Sequence, residues 1–291
     1  MPSSTDTSDK PQSDSPEWDD NLLQNPHVVA DKRARVQKMF AAIAPSYDLN
    51  NRLHSLWMDQ RWRRKAVRLG EPKDEDIVVD VACGTGDLTL AFVKYMLEQS
   101  GYPHPLPRPF SRQIIGIDFT FEMLPIAQNK ARLEFHEERR VFTNPPLGVE
   151  SLIDRTIWIN GDAQSLPLPD GCCDVVSIAF GIRNVQDPAA AVREFHRVLR
   201  PGGRLIVLEF SLPTNPVLRG LYNFYFRQIL PRTATLLSGD KTGAYKYLPE
   251  SVNTFISRES MMSMMSDAGF TQVEQFPMTF GVCVCYPGVK G

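Results

Sequence analysis

The chain has 291 residues, 42% of them hydrophobic, and a formal net charge of −2. That length supports one sizeable core or two small ones, and the composition is neither fibrous nor membrane-spanning. No apolar run approaches the roughly 20 residues that a spanning helix needs. Cys83, Cys172, Cys173, Cys283 and Cys285 lie in apolar strand-like segments without C-x-x-C spacing, so they read as buried thiols of a reducing compartment. The histidines, His27, His54, His104, His136 and His196, are scattered, and no metal site is expected.

Residues 1–30 are rich in Ser, Asp, Pro and Thr, with Asp6, Asp9, Asp14, Glu17, Asp19 and Asp20 set against Lys10. They read as a disordered acidic tail. Neither a secretory signal nor a basic presequence fits, so a cytosolic protein of bacterial type is expected. From 31 to 70 the charge reverses. Val36, Met39, Phe40 and Ile43 fall at helical spacing up to Pro45, and a second helical stretch carries Leu53, Leu56, Trp57 and Trp62 with the basic cluster Arg61–Lys65. This basic face is either solvated or interfacial. Between the two helices, Ala44–Asn51 reads as a polar, aromatic loop able to close over a site.

Ile77–Val81 is β-branched enough for a strand buried on both faces, and Leu88, Leu90, Ala91, Phe92 and Tyr95 then follow at helical spacing. The junction, Asp80-Val81-Ala82-Cys83-Gly84-Thr85-Gly86-Asp87, is a glycine turn in which backbone can touch a ligand and helix-start N–H groups can point at it. A dinucleotide fingerprint wants a third glycine where Thr89 stands. Asp80 and Asp87 flank the turn, and they favour an ammonium and a sulfonium over a diphosphate. The turn therefore suits S-adenosylmethionine better than NAD.

Residues 99–112 form a Pro-rich surface loop in the first crossover. Gln113–Asp118 is a second buried strand, and its terminal acid is placed to take two ribose hydroxyls. Its interval from Gly86 exceeds the usual ~20 residues, and the Pro-rich loop accounts for the excess. Residues 122–141 read as a charged helix and 142–151 as a second loop. Thr156–Ala163 is a third strand and turn that sets Asp162 beside the adenine. Asp174–Phe180 is a fourth strand, and Arg183 and Asn184 lie just past its end, where open α/β sheets bind ligands. The alternatives are a surface role for Arg183 and a helix cap for Asn184.

Residues 194–209 read as helix, Pro-Gly-Gly stop and fifth strand. The stretch 218–237 is too apolar all round for a surface helix: it packs under a lid or forms a channel for an apolar substrate. Met261, Met262, Met264 and Met265 read first as core packing. Thr271–Pro277 and Gly281–Tyr286 make a terminal hairpin, which separates a methyltransferase sheet from a dehydrogenase sheet.

These residues resemble the ubiquinone/menaquinone biosynthesis C-methyltransferases from about Val36 to the C-terminus. The resemblance rests on Tyr47-Asp48 with Asn51, Ser55 and Trp62, on D-V-A-C-G-T-G-D-L-T from Asp80 to Thr89, and on F-G-I-R-N-V at 180–185. It extends through R-V-L-R-P-G-G-R-L at 197–205, L-P-R at 230–232 and Y-K-Y-L-P-E-S at 245–251. It implies a single α/β, Rossmann-like class I methyltransferase domain over 31–291, with a mainly parallel seven-stranded sheet, a reversed last strand and helices on both faces. Residues 31–70 would be a helical lid and 216–258 a substrate-side helical insertion.

Cofactor contacts implied by the resemblance fall on Thr85, Asp118, Asp162 and Ala163, beside Asp80, Gly84 and Gly86 of the turn. Ala179 stands where relatives carry a cofactor-contacting Ser, and Trp57, Asp59 and Gln60 stand where they have Gly, His and Arg. The catalytic candidates are Arg183 and Asn184 at the acceptor phenol, with Tyr47 and Asp48 closing the site. The expected partner is a polyprenyl quinol, with no nucleic acid; a homodimer and a peripheral membrane contact are both compatible. A NAD-dependent oxidoreductase and a non-catalytic scaffold of a quinone-biosynthesis complex are the rival readings.

Overall fold

Runs of Ile and Val form the middle of the molecule. They are β1 (Ile77–Val81), β2 (Gln113–Asp118), β3 (Thr156–Asn160), β4 (Cys173–Ala179) and β5 (Leu199–Phe210), followed by β6 (Phe270–Thr271), β7 (Phe276–Met278) and β8 (Cys283–Lys290). The computed structural model describes residues 17–73, 75–99, 113–141, 156–240 and 242–291. The expected loops at 99–112 and 142–151 lie almost wholly outside this range.

One eight-stranded sheet runs β3-β2-β1-β4-β5-β8-β6, with β7 also paired to β8. The pairs from β3 through β5 are parallel, and β8 runs antiparallel to β5 as expected of a reversed last strand. Eight strands stand where seven were expected because the edge position is divided. Gln272 is left-handed at φ 52°, so β6 and β7 are separate pieces against the two ends of β8.

Parallel strands must be covered on both faces. On one face α4 (Asp87–Gln99) lays Phe92, Val93 and Met96 over Val78 and Ile114, beside α3 (Met58–Gly70). On the other, α6 (Pro188–Val198) and α10 (Arg258–Asp267) bring Val192, Phe195, Met261 and Met265 to Val176, Ile178 and Val207. The methionines are thus core. α5 (Met123–Val141) follows β2. β1 leads to β2 on one side and β4 lies on the other, so the strand order reverses between β1 and β4. Ligands of open α/β sheets bind at such a point.

A second apolar cluster lies beyond the carboxyl ends of the strands. It is built from α1 (Lys32–Ile43), α2 (Tyr47–Ser55), α7 (Pro216–Phe224), a π-helical turn at Tyr225–Ile229, α8 (Leu230–Ser238) and α9 (Ala244–Asn253). Two expectations are corrected here. Residues 17–30 are not tail: Leu22–Gln24 and Pro26–Val28 form short 3₁₀ turns, and the buried Trp18 packs against Tyr247 with ring centroids 4.5 Å apart and planes tilted by 36°. One large aromatic buried against a tyrosine outweighs the acidic composition around it. Ala44–Asn51 is not a loop, since a 3₁₀ turn at Ala44–Ser46 runs directly into α2. Leu56 and Trp57, both left-handed at φ 52° and 60°, break α2 from α3.

Candidate active site

Two cavities meet at the strand ends. The first is walled by Ala82 and Gly84 after β1, Asp118 and Phe119 at the end of β2, Asp162 and Ala163 after β3, and Ala179 and Asn184 at the end of β4. Arg33, Val36, Phe40 and Tyr47 roof it from α1 and α2. The second is larger and mostly apolar: Met39, Ile43, Phe210, Phe226 and Leu230 line it together with Arg183, Tyr222 and Tyr247. Phe40, Tyr47 and Phe180 border both cavities.

Backbone strain marks the same point. Ala82 and Phe180, non-glycine residues just past the tips of β1 and β4, sit at φ 53° and 58°. Such strain persists only where its surroundings enforce it. Gly84 presents bare backbone to the first cavity, because a Cβ there would find only Tyr47, at 4.0 Å. A ligand can therefore lie directly against the chain.

Asp118 forms the floor. Its two oxygens accept from Gly84 N and Thr120 N at 2.7 Å each, and burial pushes its carboxyl up to about 6. At neutral pH it is ionised, with lone pairs left for hydroxyl donors. Asp162 accepts from Gln164 N at 2.9 Å and pairs with Arg33 of α1 at 3.1 Å, while the same guanidinium lies 4.5 Å over the Phe119 ring. A bare glycine wall, an acid facing hydroxyls and a second acid beside a flat aromatic roof fit a ribonucleoside with a cationic side arm.

Four candidates do not line either cavity. Asp80 is buried beneath the turn, where Thr89 and Ser177 hydroxyls donate to it at 2.6 and 2.8 Å and burial pushes it up to about 6. Thr89, which occupies the place of a third glycine, thus anchors that acid. Gly86 is small for packing, since a Cβ there would lie 2.7 Å from the Trp158 ring. Thr85 donates to Asp48 at 2.5 Å, and Asp48 in turn pairs with Lys130 at 2.5 Å. Asp48 therefore ties α2 to the glycine turn and faces away from the cavities. Asp87 is likewise taken up by Lys130, Arg52 and Gln60. The acids that give the first cavity its sign are Asp118 and Asp162, not Asp80 and Asp87.

The departures at Asp59 and Gln60 complement each other. Arg63 and Gln60 both donate to Asp59, at 2.6 and 3.1 Å, and Gln60 also reaches Asp87 at 3.2 Å. They fasten α3 to the start of α4.

Arg183 lines the apolar cavity, buried, with Nη1 donating to Glu209 and to the Phe180 carbonyl at 2.6 Å each. Asn184 is not a helix cap; Asp187 caps α6 by accepting from Ala190 N. Its amide instead donates to the Phe180 carbonyl at 3.2 Å and accepts from Tyr247 Oη at 2.9 Å. Lys32, buried, donates to the carbonyls of Arg183 and Val185 at 2.8 and 2.7 Å and fixes the turn that carries both residues. Burial and the neighbouring Arg183 charge lower the Lys32 ammonium to about 8. Sequence reasoning missed Lys32, Arg33 and Glu209. For the first two, the basic run at 32–38 hides which cation turns inward. Glu209 stood in plain view as an acid closing a buried strand.

A parallel sheet with a reversed terminal strand, and an acid-floored cavity at its switch point, define a Rossmann-like class I methyltransferase. The profile of the ubiE/COQ5 methyltransferase family matches residues 28–290, and the chain belongs to that family. The ubiquinone/menaquinone biosynthesis C-methyltransferase of Geobacter sp. strain M21 is 38% identical over 264 residues, covering 91% of this chain and 100% of that protein. The demethylmenaquinone methyltransferase of Thermus thermophilus is 42% identical over 250 residues, covering 86% and 99%. Among solved structures, a methyltransferase from Thermotoga maritima superposes with a TM-score of 0.51 at 18% identity, covering 88% of this chain and all of that one. It is similar in fold.

Proposed function

We propose that this chain methylates a ring carbon of a polyprenyl hydroquinone, a demethylmenaquinol or the methoxy-benzoquinol of ubiquinone synthesis, with S-adenosylmethionine as donor. The relatives' activities point to this acceptor class. The observation that carries the reading is the junction: a cavity lined by Asp118, Asp162 and bare Gly84 shares Phe40, Tyr47 and Phe180 with a larger apolar one that Arg183 lines.

Bound adenosylmethionine supplies an electrophilic methyl group on a sulfonium. Asp118 holds the ribose hydroxyls, Asp162 takes the adenine amine, Ala163 and Ala179 flank it, and Gly84 admits the side arm. An acceptor phenol has an ordinary pKa near 10, and its adjacent carbon becomes nucleophilic once that proton is lost. Arg183 keeps its own proton far above neutral pH and so is no base. It stabilises the phenolate, and its proton-bearing edge is oriented by Glu209. Water accepts the phenol's proton, and after methylation the ring carbon gives up its own proton to water, which restores the aromatic ring. Asn184, set by Tyr247, positions the same oxygen, and Tyr47 closes the junction against bulk solvent. Residues 31–70 act as the lid and 216–258 as the acceptor wall.

No described helix is long and apolar enough to cross a membrane. The reading places the mouth of the apolar cavity against a bilayer on its cytoplasmic side. Leu56 at that mouth is exposed, as are Trp57 beside it, Phe224 next to the lining Tyr225, and Phe280 next to the lining Thr279. Sedimentation with vesicles should fall on Trp57→Ser with Phe280→Ser; loss of dimerisation in its place would assign this surface to a homodimer. The acceptor is tested by deleting the gene and extracting quinones. Accumulation of a ring-demethylated quinone supports the reading, and an unchanged quinone pool refutes it.

A further inference from the structure

We infer that Tyr222 hydrogen-bonds the second oxygen of the hydroquinone ring, the one para to the phenolate oxygen at Arg183, and thereby selects a hydroquinone over a simple phenol. This inference rests on the acceptor reading above.

Several polar side chains around the apolar cavity are taken up by one another. Arg183 is paired with Glu209, Tyr247 donates to Asn184, and Tyr225 meets His54 Nδ1 at 3.1 Å. Tyr222 differs. Its side chain is 8% exposed and lines the cavity, yet its hydroxyl has no hydrogen-bond partner among the described residues. A buried hydroxyl left unpaired destabilises the fold, and Phe would fill the same space without that cost.

The ring is held in place, stacked on Phe226 with centroids 4.1 Å apart and planes at 24°. The hydroxyl is thus pre-positioned. Tyr222 and Arg183 line the same cavity, so one ring bound there can meet both side chains. Burial raises its pKa, so it remains a neutral phenol at neutral pH, able to donate one hydrogen bond and accept another. A hydroquinone hydroxyl offers the matching pair of roles. The isoprenoid tail offers none, so the contact belongs to the ring.

The test compares the full-length protein and Tyr222→Phe on two acceptors: a short-chain demethylmenaquinol, and the corresponding naphthol that keeps the hydroxyl beside the methylated carbon and lacks the one para to it. Comparing two enzymes on one acceptor cancels the acceptor's own reactivity. Tyr222→Phe should lose about tenfold in kcat/KM on the quinol, equivalent to ~1.4 kcal/mol. On the naphthol it should match wild type, and adenosylhomocysteine affinity should be unchanged on both proteins. Its Tm should hold or rise, because an unpaired buried hydroxyl is removed. An equal loss on both acceptors, no loss on the quinol, or a fall in Tm would overturn the inference while leaving the acceptor reading intact. A wild-type protein that turns over neither acceptor would overturn both.

Discussion

Asp118→Asn isolates the charge at the floor of the cofactor cavity. In the native protein the ionised carboxylate already accepts two backbone N–H bonds at 2.7 Å, and it has lone pairs left for the ribose. Hydrogen bonds to a charged group contribute about 1.5–3 kcal/mol, so the variant should bind adenosylmethionine ~10- to 150-fold more weakly. Burial has raised this carboxyl from 3.8 to about 6. An acid whose folded pKa is raised stabilises the fold below its unfolded pKa and loses that contribution as pH rises through the folded one, here between 3.8 and about 6. The full span corresponds to about 3 kcal/mol at 1.36 kcal/mol per unit. Two pH signatures follow. Wild-type cofactor affinity should decline as pH falls through about 6, while that of the variant stays low and flat, and wild-type stability should vary more over this interval than the variant's. Calorimetric titration and thermal melting from about pH 4 to about pH 8 read both. Unchanged affinity in the variant, or a pH-independent wild type, would remove Asp118 from the binding site.

The two turn glycines should separate. Both sit at positive φ, 54° and 84°, so either Ala carries about 1–2 kcal/mol of backbone strain; Gly86→Ala also drives a Cβ to 2.7 Å from Trp158 and should cost about 1–3 kcal/mol more, seen as a lower Tm, whereas Gly84→Ala meets only Tyr47 at 4.0 Å and should in addition weaken cofactor binding. Glu209→Gln leaves the buried Arg183 without its counter-ion and should destabilise by about 3–5 kcal/mol in denaturant melts. Arg183→Lys keeps a cation but loses the planar fork; methyl transfer should fall and then recover as pH rises toward the phenol's pKa of about 10, with cofactor affinity unaltered. Trp18→Ala removes a buried ring whose centroid lies 4.5 Å from that of Tyr247 and should cost about 3–5 kcal/mol in Tm-derived stability, which a mere tail would not.

The sheet was legible because parallel strands buried on both faces leave unmistakable runs such as Ile77–Val81 and Gln113–Asp118, each with an acid at or next to its end. Strand ends and a resemblance pointed to the same places for Gly84, Asp118, Asp162, Ala163, Ala179, Asn184, Arg183 and Tyr47, and each of them lines at least one of the two cavities. What the sequence withheld was side-chain direction. Asp80 lies one residue before the end of β1 and Asp118 ends β2, yet the first is buried beneath the turn against Thr89 and Ser177 while the second lines the cavity. Asp48 and Thr85 bond each other across 37 residues of chain. Pairings of that kind are set by how α2 docks, and no periodicity records them. Trp18 was lost in acidic composition for the same reason: its partner, Tyr247, lies near the other end of the chain.

The most direct test of the account is transfer of a labelled methyl group from adenosylmethionine to reduced demethylmenaquinol by the purified protein, with the product's label placed by NMR. The account predicts label on the ring carbon adjacent to a hydroxyl, turnover only with the reduced acceptor, and a severe loss on Arg183→Ala with cofactor binding intact. Label on oxygen, or equal turnover of the oxidised quinone, would contradict it.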